Sequence, residues 1–105
     1  MIVIVGTIAI NPEKMDVFES LCPAHVARTL AQDSCLLFSV GVADRAKGQI
    51  TVAEIWANEA ALVRHHQQAF THDFITTIGG LMENDTKIYE VSSVRPLPQL
   101  GAIGN

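Results

Sequence analysis

The chain has 105 residues, of which 49% are hydrophobic and 17% are charged, and its formal net charge is −4. An average soluble domain has about 25% charged residues, so this composition favours one compact domain, and the lack of basic charge excludes nucleic acid as a partner. A chain of this size cannot bury half of its residues in a single core. The apolar excess therefore predicts a subunit interface, a pocket, or both.

The apolar N-terminus, residues 1–10, is shorter than the roughly 20 residues of a membrane helix, and it lacks the basic start and cleavage site of a signal peptide. We therefore expect a cytoplasmic protein with no membrane partner. Cys22 and Cys35 have no CxxC spacing and predict neither a zinc site nor a disulfide. Because motifs for nucleotides and metals are also absent from the sequence, we expect no cofactor and no metal.

The first two predicted elements are a strand and an amphipathic helix. Residues 2–10 are mostly β-branched, which is typical of a central strand, and Asn11-Pro12 ends the run. From Glu13 the apolar spacing becomes helical. Pro23 lies inside this pattern and predicts a kink or restart near residues 19–23. The helical stripe consists of Met15, Phe18, Cys22, His25 and Thr29.

Two strand-like runs, 34–42 and 49–57, are joined by a polar loop and predict an antiparallel hairpin. Asn58 is placed to cap the next helix, whose apolar stripe contains Ala61, Leu62 and His65. The remaining predicted elements are a helical segment at 71–82, stopped by either Gly79-Gly80 or Asn84-Asp85, a strand at 86–95 and a tail that begins at Pro96.

The element order is strand, helix, strand, strand, helix, strand, which predicts an α+β, ferredoxin-like split βαβ fold with a four-stranded antiparallel sheet. Helices cover only one face of such a sheet. We expect a homodimer in which the other face packs against a second copy. The predicted domain spans residues 1–97, and residues 98–105 form the tail.

Residues 54–65 (EIWANEAALVRH) resemble the E-x-W-x-[DN]-x-x-A-L-x-x-H run of the antibiotic biosynthesis monooxygenase superfamily. The order and length of the elements agree over residues 1 to about 97. The resemblance implies a dimeric α+β barrel. It also implies one of several activities: cofactor-independent oxygenation of quinols or anthrones, haem degradation, isomerisation of a hydroxy-dione, or no catalysis.

The chain departs from the pattern of this superfamily at several positions. A glycine usual before the second strand is Ser34, and a tyrosine frequent on that strand is Phe38. The Asn that haem-degrading members carry on the first strand is absent from residues 2–10. A second histidine is usual after the helix, and His72 replaces it only with a shift of register.

His65 is the first candidate catalytic residue because it lies on the apolar stripe of its helix. A desolvated imidazole stays neutral at pH 7 and can accept a proton; the alternative is a core histidine bonded to a backbone carbonyl. Glu54, within an apolar strand, either orients His65 or substrate, or pairs with Arg64, Arg95 or a partner subunit. His66, the next residue round the helix, should be solvated.

The other candidates belong to the same predicted cavity. His25 is a second possible catalytic group, in keeping with the isomerase branch of the superfamily. Trp56 offers either a stacking surface or core packing, and Phe38 and Phe70 are possible apolar walls. His72 either closes the pocket or begins an exposed helix.

Three functions remain open. The first is a monooxygenase that acts on a quinol, anthrone or similar polyphenol, without flavin, metal or haem, and uses His65 as base. The second is a non-catalytic dimer that binds a small molecule or serves a stress response. The third is an isomerase of a small hydroxy-dione, which would need both His25 and His65.

Overall fold

A computed structural model describes residues 1–98 and contains one antiparallel sheet covered on one side by helices. The strand order is β2-β3-β1-β4, which confirms the predicted α+β, ferredoxin-like fold. In chain order the elements are β1 (Ile2–Ala9), a 3-10 turn (Pro12–Lys14), α1 (Met15–Leu30), β2 (Cys35–Asp44), β3 (Gln49–Trp56), α2 (Glu59–His66), α3 (Ala69–Thr77) and β4 (Glu83–Glu90).

The sheet has two different faces because side chains alternate along each strand. On β1, Ile2 and Ile4 are buried beneath the helices, with 6% and 5% of their surface exposed. Val3 and Val5, which alternate with them, point to the opposite, outer face. The residue paired with Val5 on β3 is Ala53, so small and aliphatic side chains continue across this face.

Two hydrophobic clusters hold the helices on the sheet. One contains Ile10, Met15, Phe18, Ile50, Val52 and Ile78. The other contains Ile2, Ile4, Trp56, Ala61 and Leu62. Members of both clusters line one large cavity, so the cavity lies between the clusters on the helical face of the sheet.

The first helix differs from its prediction at two points. The segment from Pro12 is a 3-10 turn, capped by the Asn11 side chain, which accepts from Glu13 N at 3.0 Å, and the α-helix begins at Met15. The predicted restart near Pro23 is wrong, because α1 is continuous. Pro23 is exposed, so water can hydrate the one carbonyl that loses its helical partner.

The elements after α2 are shifted relative to the prediction. Asn58 caps α2 as expected, with its side chain accepting from Ala61 N at 2.9 Å. The next helix, α3, begins two residues before the predicted start and ends at Thr77, so its extension to residue 82 is wrong. Of the two predicted stops, Gly79-Gly80 is the one that follows the helix, and both glycines are left-handed (φ 83° and 78°). β4 therefore begins earlier than predicted and ends at Glu90.

Among the described residues, no helix is long and apolar enough to cross a membrane. Most of the predicted C-terminal tail, residues 99–105, lies outside the described residues. The domain boundary near residue 97 therefore stays a prediction.

Candidate active site

A cavity of about 560 Å³ lies between the sheet and the three helices. Its walls are mainly aliphatic and aromatic. Five predicted site residues line it: His25, Phe38, Glu54, His65 and His72. Its volume falls within the roughly 300–1,000 Å³ typical of small-molecule sites.

His65 lies on α2, buried with 3% of its surface exposed. Its Nδ1 atom is 2.7 Å from Oε1 of Gln32, in the loop after α1. Thr71 Oγ1 lies farther from the same nitrogen, at 3.4 Å. A side-chain amide, and not the backbone carbonyl that the sequence left open, is thus the nearest partner of this ring.

Burial lowers the pKa of His65 from 6.5 to about 4, with smaller contributions in the same direction from His66 and His25. The imidazole is therefore neutral at pH 7. A neutral ring that borders an apolar cavity can accept a proton from a bound molecule.

His25 lies on α1 with its ring centroid 6.0 Å from that of His65. The imidazole stacks on Phe74 at a centroid distance of 4.0 Å and an interplanar angle of 11°. Burial, and then the nearby Arg28 cation, lower its pKa. Phe38 completes this aromatic group, with its ring 5.7 Å from His25 and 5.8 Å from His65.

Glu54 is a partly buried carboxyl group whose partner is Trp56 on the same strand. The indole Nε1–H donates to Glu54 Oε1 at 2.9 Å. Burial raises the pKa of Glu54, and the bond from Trp56 offsets part of that rise. The alternative pairing with Arg64 or Arg95 is not observed, since the ion pairs within residues 1–98 leave Glu54 out.

Trp56 and Phe70 lie outside the lining of the main cavity, and the substrate contact expected of them stays a prediction. Trp56 has 1% of its surface exposed and packs behind His65, at a ring distance of 5.0 Å. Phe70 borders a smaller groove of about 170 Å³ between α1 and α3. There the Arg28 guanidinium lies 4.6 Å from the Phe70 ring centroid.

Several residues of the site were not predicted from the sequence. His66 is exposed as expected, yet it also lines the cavity. Gln32 and Thr71 contact His65 through polar atoms, but neither belongs to a motif that marks such a role. Phe74 was recognisable only as an apolar helix residue. In the described part of the chain, no group of three or more His, Cys, Asp or Glu side chains is placed to hold a metal ion.

Comparison with known proteins finds relatives that have low sequence identity to this chain and solved structures that share its fold. A protein of Synechocystis sp., "Uncharacterized protein sll1783", is 26% identical over 98 residues, which cover 91% of this chain and 67% of that protein. A Deinococcus radiodurans structure assigned to the antibiotic biosynthesis monooxygenases superposes with a TM-score of 0.74, at 19% identity over 92% of this chain and 98% of that one.

A conserved protein from Methanosarcina mazei has a TM-score of 0.69 at 23% identity, over 84% of this chain and 89% of that one. Identities this low establish the shared fold alone. The sequence pattern of the family described as "Antibiotic biosynthesis monooxygenase" matches residues 1–76. This match covers more than half of the chain and includes His25, Glu54 and His65, and the chain therefore belongs to the antibiotic biosynthesis monooxygenase family.

Proposed function

We propose that this protein is a cofactor-independent monooxygenase of a quinol, an anthrone or a similar polyphenol, with His65 as the catalytic base. One observation carries the proposal: a neutral imidazole, held through Nδ1, borders a largely apolar cavity of about 560 Å³. Such a cavity can admit a substrate of two or three rings and exclude water from the reaction.

For an anthrone, His65 Nε2 takes a proton from the activated CH₂ group. The carbanion then gives electrons to O₂ as a C–O bond forms, and the imidazolium returns its proton to the resulting peroxide. Loss of water leaves a carbonyl. One oxygen atom enters the product and the other leaves as water, and all four electrons come from the substrate, so no separate reductant is needed.

The low pKa of His65 fits this step when the product of proton transfer is considered as a pair. Burial penalises an isolated imidazolium. In the reaction, however, the imidazolium forms together with a substrate anion, and the attraction between opposite charges in a dry cavity offsets the penalty. His65 is therefore neutral at pH 7 and takes up a proton only as the substrate anion forms.

The other residues have distinct parts in this proposal. Glu54 lines the cavity with a raised pKa, so it can hydrogen-bond a substrate hydroxyl at little electrostatic cost. His25 and Phe38 form walls next to the base. Trp56 supports the site from behind through its bond to Glu54.

The test measures O₂ uptake with anthrone and hydroquinone, after subtraction of uptake without protein. We expect His65→Gln to lose about 100-fold or more in kcat, in the range of a lost general base. Arg64→Gln is the matched control, because the neighbouring Arg64 is exposed. Equal turnover by His65→Gln and the native protein would contradict the mechanism.

Isomerisation of a small hydroxy-dione is a second candidate, favoured by the pair of histidines on the cavity wall, 6.0 Å apart. One imidazole can remove a carbon-bound proton while the N–H of the other donates a hydrogen bond to the enediolate oxygen, and the imidazolium then returns its proton to the neighbouring carbon. This reaction needs no oxygen. Turnover of a dione under anaerobic conditions, lost in both His25→Gln and His65→Gln, would favour it over oxygenation.

A non-catalytic binding role would give a different result. Ligands of the same class would raise the melting temperature without turnover in either assay. A ligand present at 100 times its Kd would raise the free energy of unfolding by about 2.7 kcal/mol.

We also propose that the protein works as a homodimer through the outer face of the sheet. Val5, Leu37 and Tyr89 have 39%, 39% and 51% of their surface exposed. Their positions in the register place them together on the side opposite the helices. The apolar part of this face is the row formed by Leu37, Ile55, Val3 and Tyr89, with Val5 beside it, and Lys87 and Asp85 border it on β4. An exposed apolar patch with a charged rim is a common feature of subunit interfaces.

A further inference from the structure

The loop between α1 and β2 holds Gln32 in a fixed position. The backbone N–H of Gln32 donates to Thr29 O at 3.1 Å, and its own carbonyl accepts from Cys35 N at 3.3 Å. Two residues on, Ser34 O accepts from Ala57 N at 2.8 Å. The loop is thereby tied to the end of β3, immediately before the helix that carries His65.

The contact between Gln32 and His65 bears on which ring nitrogen carries the proton, because Oε1 is the amide atom that faces Nδ1. Oε1 of an amide can only accept a hydrogen bond. Because it lies 2.7 Å from Nδ1, the neutral ring bonds to it only as the Nδ1–H tautomer. The lone pair is then on Nε2, at the end of the ring away from this bond.

We propose that Gln32 is a positioning residue that selects the Nδ1–H tautomer of His65 and so makes Nε2 the proton acceptor of the site. The role in turnover rests on the proposed function of His65, whereas the tautomer itself can be observed without any substrate. Catalysis depends on the correct tautomer wherever a histidine acts as base, since the wrong one presents a donor to the substrate.

The hydroxyl group of Thr71 predicts which tautomer of His65 forms when Gln32 is replaced. Its hydroxyl lies 3.4 Å from His65 Nδ1 and can donate or accept. With Gln32 present, the shorter hydrogen bond, from Nδ1–H to Oε1 of Gln32, is the one that forms, and Nδ1 keeps its proton. Without the amide, the Thr71 hydroxyl is free to donate to Nδ1, and the proton moves to Nε2.

The charged and titratable groups around His65 are few. Those that line the cavity with it are His25 on α1, Glu54 on β3, His66 on α2, His72 on α3 and Lys87 on β4. None of them contacts His65 Nδ1 by hydrogen bond within residues 1–98. A change at Gln32 therefore alters the partner of Nδ1 while leaving these groups in place.

The test records nitrogen-15 chemical shifts of the His65 ring at pH 7.5 in the native protein, in Gln32→Met and in the control Gln67→Met. Gln67 is an exposed residue at the end of α2. We expect the Nδ1–H form to dominate in the native protein and in Gln67→Met, and the Nε2–H form to dominate in Gln32→Met. With a turned-over substrate, kcat of Gln32→Met should fall about tenfold or more with KM little changed.

Gln32→Glu supplies a second readout, because a carboxylate next to Nδ1 stabilises the imidazolium. The pKa of His65 should rise by about 1 to 3 in this variant, as is usual for an adjacent opposite charge. An Nε2–H ring in the native protein, or an unchanged tautomer in Gln32→Met, would overturn the proposal. If the tautomer is as expected but no quinol or anthrone is turned over, the assignment of Gln32 stands and the proposed function fails.

Discussion

At the scale of single residues, the buried imidazole of His65 should make stability depend on pH. Its pKa falls from 6.5 to about 4 on folding, so the unfolded chain binds the extra proton between these values. Stability is complete above pH 6.5 and is lost as the pH falls towards 4. Through His65 alone, the free energy of unfolding is lower by about 3 kcal/mol below pH 4 than above pH 6.5.

Urea unfolding of the native protein and of His65→Gln at pH 4.5, 5.5 and 7.5 measures this effect. The difference between the two proteins isolates His65, since His25, His66 and Glu54 also shift on folding and titrate in both. The difference in the free energy of unfolding between the native protein and His65→Gln should become smaller as the pH falls. A difference that is constant over this range would show that folding does not change the pKa of His65.

The indole of Trp56 is the hydrogen-bond donor to Glu54. Trp56→Phe leaves that carboxyl group without its donor, so the pKa of Glu54 should rise further and the free energy of unfolding should fall by about 1–3 kcal/mol. Part of this loss reflects packing, because Trp56 is buried. The same substitution in a Glu54→Met background should cost less, and equal costs in both backgrounds would exclude a contribution from the bond.

At the scale of elements, the loop before β2 contains a strained residue. Ser34 has φ 73°, a left-handed conformation that costs a residue with a side chain about 1 kcal/mol or more. Ser34→Gly should therefore raise the free energy of unfolding by about 1 kcal/mol. Ser39→Gly, on β2, should lower it. Thermal unfolding checks both, and a destabilised Ser34→Gly would contradict the assignment of strain.

The elements that sequence analysis located well are those with a strong local signal. The β-branched run of β1, the polar turn after β2 and the Asn58 cap each depend on neighbouring residues, and all three are present. The sequence offered two stops for α3, and it could not decide between them because Gly79 and Gly80 end the helix through the left-handed backbone they adopt. The start of β4 was misplaced for the same reason. Gln32 could not be foreseen, since its contact with His65 spans 33 residues of sequence.

At the scale of the whole molecule, the outer face of the sheet should control assembly. Val5→Lys places a second cation on this face beside Lys87, which pairs with residue 5 in the sheet, and burial of like charges is costly. We expect the native protein to be a dimer by light scattering and Val5→Lys to weaken dimerisation about a hundredfold or more. Val63→Lys is the control, since Val63 is exposed on α2 on the other side of the sheet. A dimer that survives Val5→Lys would place the interface elsewhere.

The alternation of side chains on β3 has a consequence for how this sequence can change. Glu54 faces the cavity, while its neighbour Ile55 pairs across the outer face with Val3 and Leu37. Loss or gain of one residue in β3 would exchange the two sets, exposing the carboxyl group to the outer face and removing it from the histidines. Changes of length in this strand are therefore tolerable only in steps of two. The loop before it is constrained as well, because Gly48 has φ 66° and accepts a hydrogen bond from Ile10 N.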